Sequence, residues 1–98
     1  MTTYALIDHN SGYLWGVVDA TTPAAAAAAI DAQTGDSGRS YVEHGARYRL
    51  NGASGYYVHR IDDVAAGHGM ANLDGQEKAT IAMLEAYPLV AVVEIIHA

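Results

Sequence analysis

The chain opens on a β-prone run, residues 4–7, that a polar stretch, Asp8-His9-Asn10-Ser11-Gly12, brings to a halt. Residues 13–19 resume the β pattern, with Tyr13, Trp15 and Val17 on one face and Leu14 and Val18 on the other. Asn and Gly between two such runs tolerate the positive φ of a tight turn, so the pair predicts a β-hairpin. Gly16 inside the second run marks a bulge or a close approach by another backbone. Thr21-Thr22-Pro23 then opens a helix, with Thr22 as cap and Pro23 at the first helical position, where a missing N–H costs nothing. Six alanines, Ile30 and Ala32 carry the helix to Gly35, and so smooth a face lets it lie close on a sheet.

After a loop at residues 35–38, residues 41–50 read as a strand interrupted near Gly45. A turn at residues 51–55 and a returning strand at residues 56–62 follow. Residues 64–72 are rich in Gly and Ala and read as a flexible surface loop. Asp74 with Glu77 three residues later is a variant capping box, predicting a second helix to about Ala86 with Ile81 and Leu84 inward. Pro88 stops that helix, and residues 89–96 form a last, almost wholly apolar strand suited to the sheet interior. The order β-β-α-β-β-α-β predicts a single α+β domain over residues 1–98, an antiparallel or mixed sheet with two helices. A ferredoxin-like variant is obtained by setting the first strand aside. In that arrangement the strand after the hairpin turn is flanked on both sides, which leaves its hairpin partner without a free edge.

Composition narrows the function classes. Ninety-eight residues suffice for one core and exclude large catalytic scaffolds. Eleven acidic side chains against five basic give a net charge of −6, which disfavours direct binding to nucleic acid. Without Cys there is no disulfide, thiolate metal cage or cysteine nucleophile. No basic-then-apolar leader opens the chain and no apolar run approaches a membrane span, so a cytoplasmic protein without membrane attachment is expected.

Candidate chemistry is sparse. Gly35-Asp36-Ser37-Gly38 spells the tetrapeptide around the nucleophile of trypsin-like proteases, but that chemistry needs a triad and oxyanion hole on a larger scaffold. His59 with Asp62 or Asp63 and His68 is the best local metal cluster, and His9 beside Asp8 a second. On a strand His59 and Asp62 point to opposite faces, and zinc-type His spacing is absent. Asp62 and Asp63 at a strand end read as a solvated turn. No phosphate-binding, metalloprotease or nucleophile-elbow motif occurs. No cofactor, metal or catalytic residue is assigned.

The aromatic set is unusual: seven Tyr, one Trp and no Phe. These rings pair an apolar body with a polar tip, which suits a core rim or a half-wet binding face. Tyr56 and Tyr57 point to opposite faces of their strand. Residues 4–16, Gly38-Arg39-Ser40-Tyr41 and Ser54-Gly55-Tyr56 resemble short proteins of high-GC bacterial plasmids and phages, a group without assigned activity. The resemblance implies a setting on a mobile element and carries no site residues.

The leading expectation is a non-enzymatic module that binds a protein through an acidic, Tyr-rich surface. Its candidate contacts are Tyr13, Trp15, Tyr56, Tyr57, Asp36, Glu43, Asp62 and Asp63, and a basic host defence complex is a fitting partner, as for anti-CRISPR-type inhibitors. The alternative is a small dimeric α+β barrel, a ligand-binding protein or cofactor-free enzyme, with Trp15, Tyr57 and His59 lining an apolar pocket. The protein is then a homodimer; for the binding module either a monomer or a homodimer serves.

Overall fold

The computed structural model describes residues 1–36, 38–52, 54–61, 77–78 and 87–96. The first strands, β1 (Thr2–Asp8) and β2 (Tyr13–Ala20), form the expected antiparallel hairpin. Asp8 organises its turn: the carboxylate accepts from the Ser11 amide and hydroxyl, and its carbonyl accepts from the amide of Gly12, which takes a φ of +74°. Helix α1 (Pro23–Gln33) starts where Thr22 Oγ1 accepts from the Ala25 amide at 3.1 Å. It ends two residues before the expected Gly35, which adopts a φ of +87° and turns the chain back so that the Asp36 amide reaches the Asp31 carbonyl.

The remaining strands are β3 (Ser40–His44), β4 (Gly55–Ile61), the two-residue β5 (Glu77–Lys78) and β6 (Leu89–Ile96). β3 does not run on to Leu50, because a turn closed by the Tyr48 amide on the Gly45 carbonyl ends it. Glu77 and Lys78, expected inside a second helix, instead pair with Leu14 and Tyr13 of β2. The rest of that helix and the loop at residues 64–72 lie outside the described residues.

All neighbouring strands are antiparallel, in the order β3-β6-β4-β1-β2-β5. This order replaces the ferredoxin-like variant. β2 and β4 take the two edges of β1, and β6 lies between β3 and β4. The apolar β6 is therefore an interior strand, as its composition requires, and β3 closes one end of the sheet with an outer edge that no strand pairs among the described residues.

The helix covers one face. Ala26, Ala27, Ile30 and Asp31 form its buried stripe, and the small alanines bring it onto Tyr4, Leu6, Tyr56, Val58 and Val93. Ile30 lies over Gly16, where a Cβ would come within 2.4 Å of its Cδ1. On the second face Ala5, Ile7, Leu14, Ile61 and Tyr87 cluster, with Val17 and Tyr57 against them. The expected faces of β2 are corrected by a bulge. Leu6 pairs with Gly16 but Ile7 pairs with Leu14, which leaves Trp15 as an extra residue. One extra residue reverses the alternation, so Trp15 joins Val18 on the helix side while Leu14 joins Val17 on the second face. Among the described residues, no helix is long and apolar enough to cross a membrane.

Candidate functional site

Two places gather polar chemistry. The first is internal. Asp31, wholly buried in α1, is held by three side chains. Arg39 grips it in a two-pronged pair, Nη2 at 2.8 Å from Oδ1 and Nε at 3.1 Å from Oδ2. The Tyr56 hydroxyl donates to Oδ1 at 2.5 Å, and the Tyr41 hydroxyl donates to Oδ2. Burial opposes the charge on Arg39, but the hydrogen bond and charge of Asp31 outweigh it and hold the guanidinium above its ordinary value. Burial, reinforced by Asp31, pushes the Tyr41 phenol up to about 12 and drives Tyr56 further in the same direction. Each carboxylate oxygen thus has two donors. Such an arrangement locks α1 to β3 and β4 and leaves no lone pair of Asp31 facing a substrate, so it is a structural hub.

The second place is on the open end of the sheet. Across the second face the register aligns His44, Val92, Tyr57, Ile7 and Leu14 in one row. The next row outward holds Val42 and Glu94, and Ile96 follows. The loop after β3 folds back over this corner. Tyr48 stacks on His44 with ring centroids 3.5 Å apart, and Glu94 Oε1 accepts from His44 Nε2 at 2.9 Å and from the Tyr48 hydroxyl at 3.3 Å. Leu50 pins the far end of the loop onto Gly55 of β4, where a Cβ would meet Leu50 Cδ1 at 2.7 Å and collide with the Val93 carbonyl. Between loop and sheet lies an open cleft of about 430 Å³ lined by Ala46, Arg47, Tyr48, Arg49 and Tyr57. His9 supports its floor, with Nδ1 at 3.0 Å from the Tyr57 hydroxyl. At this corner of the sheet Val42, Tyr48 and Ile96 leave 42%, 40% and 40% of their surface exposed.

The expected contact residues do not form one surface. Tyr56 is only 2% exposed, because its hydroxyl is drawn inward to Asp31, and it is corrected from a surface contact to a core residue. Trp15 packs on the helix side and Tyr57 on the opposite face. Those two therefore cannot line one pocket with His59, which is buried and donates through Nδ1 to the Tyr87 carbonyl at 3.0 Å. Burial lowers the His59 pKa, against the opposing effect of that hydrogen bond. Tyr13 is exposed, at the start of β2 and across the sheet from the cleft. Both described acidic candidates are engaged within the chain: Asp36 lies 3.8 Å from Arg39, and Glu43 accepts from the Ala24 amide at 3.2 Å. Asp62, Asp63 and His68 lie outside the described residues, as does Ser37 of the protease-like tetrapeptide. Among the described residues, no three His, Asp or Glu side chains gather as a metal site.

Sequence reasoning assigned no role to Arg47, Arg49 or Asp31. A charged residue beside Ile30 on the helix was the available signal for Asp31. Comparison with family models, with curated proteins and with solved structures gave no match.

Proposed function

We propose that this protein is a non-enzymatic protein-binding module that takes an extended segment of its partner onto the free edge of β3. The observation that carries this reading is the coincidence of that edge, unpaired among the described residues, with exposed Val42, Tyr48 and Ile96 at one corner of the sheet. A strand edge presents main-chain donors and acceptors that only another extended chain satisfies in register. Flanking apolar side chains supply the contact area, about 25 cal/mol for each Å² of apolar surface buried. Proteins commonly blunt such an edge with charge or proline; here the strand is Ser40-Tyr41-Val42-Glu43-His44, with no proline and its one acid tied to the helix start.

The narrower reading, a mobile-element inhibitor meeting a basic host complex through acidic side chains, rests on the net charge of −6 and the sequence resemblance. The engagement of Asp36 and Glu43 within the chain weakens its acidic contacts. The dimeric barrel loses its motivation with the sheet order and with the separation of Trp15 from Tyr57.

Site-specific photo-crosslinking tests the module. A photoreactive residue is placed at Val42, at Tyr48 and, as controls, at exposed Asn10 and Ala32, in cells that carry the protein. The same partner joined at Val42 and Tyr48 but at neither control, and released by excess unmodified protein, is the expected result. Crosslinks at the controls alone, or with no dependence on position, would overturn it.

A further inference from the structure

The partner segment has a chemistry of its own to satisfy, because the cleft beside β3 holds positive charge that no carboxylate among the described residues pairs. Arg39 is committed to Asp31. Arg47 and Arg49 make no ion pair among the described residues, although both line the cleft. The Glu94 carboxylate at this corner already accepts from His44 and Tyr48 through Oε1. Arg47, in the turn that the Tyr48 amide closes on the Gly45 carbonyl, and Arg49 just beyond it line the same cleft as Tyr48 and Tyr57. Planar guanidinium forks match a carboxylate better than any neutral group, and aromatic walls lower the local dielectric around the pair.

The cleft is also held in place. Leu50 seats on the bare backbone of Gly55, and the His44–Tyr48 stack fixes the loop at its other end. These anchors limit the ordering cost of binding. β3 ends at His44 and the loop starts at Gly45, so an extended chain on β3 would reach the start of the loop.

We propose that the cleft receives an aspartate or glutamate side chain of the partner segment, so that Arg47 and Arg49 make the module selective for acidic partners. This inference rests on strand addition at β3. It reverses the sign expected from the net charge of −6, which acts at long range and is screened beyond roughly 8 Å at physiological salt.

The experiment is selection from a random-peptide library displayed on phage against the full chain. Three forms serve as bait: the native protein, Arg47→Ala/Arg49→Ala, and Val42→Asn/Ile96→Asn. All four positions are exposed, and circular dichroism checks that each form is folded. Native protein is expected to enrich β-prone peptides with an Asp or Glu at a fixed offset. The arginine variant is expected to enrich β-prone peptides without the acid and to bind the native-selected peptides about tenfold more weakly, the scale of one charge-assisted hydrogen bond. β-prone peptides with no acidic excess, or an excess that survives in the arginine variant, overturn the inference and leave strand addition standing. Selection that ignores the Val42→Asn/Ile96→Asn change removes strand addition, and the acidic preference with it.

Discussion

The Tyr56 hydroxyl donates to Asp31 Oδ1 at 2.5 Å and so joins the centre of the sheet to the last turn of the helix. With Tyr41 and Arg39 on the same carboxylate, it makes a polar hub inside a small apolar core. Loss of one donor leaves a buried acceptor short of a partner. Tyr56→Phe is therefore expected to lower unfolding stability by about 2 kcal/mol, the range for hydrogen bonds to charged groups. Asp31→Ala is expected to cost more, about 3 kcal/mol, because it strands a partly buried guanidinium and two phenols. Urea denaturation measures both, and equal stability of Tyr56→Phe and native protein would contradict the hub.

The same hub sets an alkaline limit. The phenols of Tyr41 and Tyr56 are raised in the folded state, so their contribution is fully present below the ordinary value near 10. It is lost as pH rises through the folded value, about 12 for Tyr41. Ultraviolet titration at the phenolate band is expected to show these two rings ionising only with or after unfolding, and a Tyr41→Phe/Tyr56→Phe form is expected to lose less stability per unit of pH above 10. Early ionisation of all seven tyrosines would count against it.

On the acid side His59 acts in the opposite sense. Its folded pKa is lowered by burial, so the unfolded chain takes up the proton first. Stability is expected to be complete above roughly pH 6.5 and to fall as pH drops below it, by up to 1.4 kcal/mol per pH unit until the folded value is reached. Denaturation across pH 5 to 7 checks this, with His59→Gln expected to flatten the slope in that window.

Two glycines separate the demands of packing. At Gly55 a Cβ would meet the Val93 backbone carbonyl, which cannot rotate away, whereas at Gly16 it meets the tip of Ile30. Gly55→Ala is expected to cost about 3 kcal/mol and Gly16→Ala about 1 kcal/mol. Thermal denaturation of the two variants gives the comparison, and an equal loss would show that the Val93 carbonyl gives way as readily as the tip of Ile30.

Much of the architecture was legible in order and spacing. The hairpin at Asn10 and Gly12, the Thr22 cap and the apolar run of β6 are local signals, and each produced its element. Sheet order was not, since nothing local places β6 between β3 and β4. Gly16 did mark the bulge beside it, but not its consequence, the extra residue at Trp15 that reversed the faces assigned to β2. Tyrosine in place of phenylalanine reads as polar tips set at a core rim or on a half-wet face. What alternation could not reveal is that Tyr41 and Tyr56 satisfy theirs inside, on Asp31, rather than in water. The alanine run gave the helix no phase, so the buried stripe that includes Asp31 emerged only from packing.

Strand addition at β3 is most directly read by amide hydrogen exchange, with and without the partner captured by crosslinking at Val42. Binding is expected to slow exchange of the amides in residues 40–44 that do not donate to β6, together with those of the adjoining cleft loop, and to leave β2 unchanged. Protection that falls on β2 around Tyr13 while β3 exchanges as before would contradict the account.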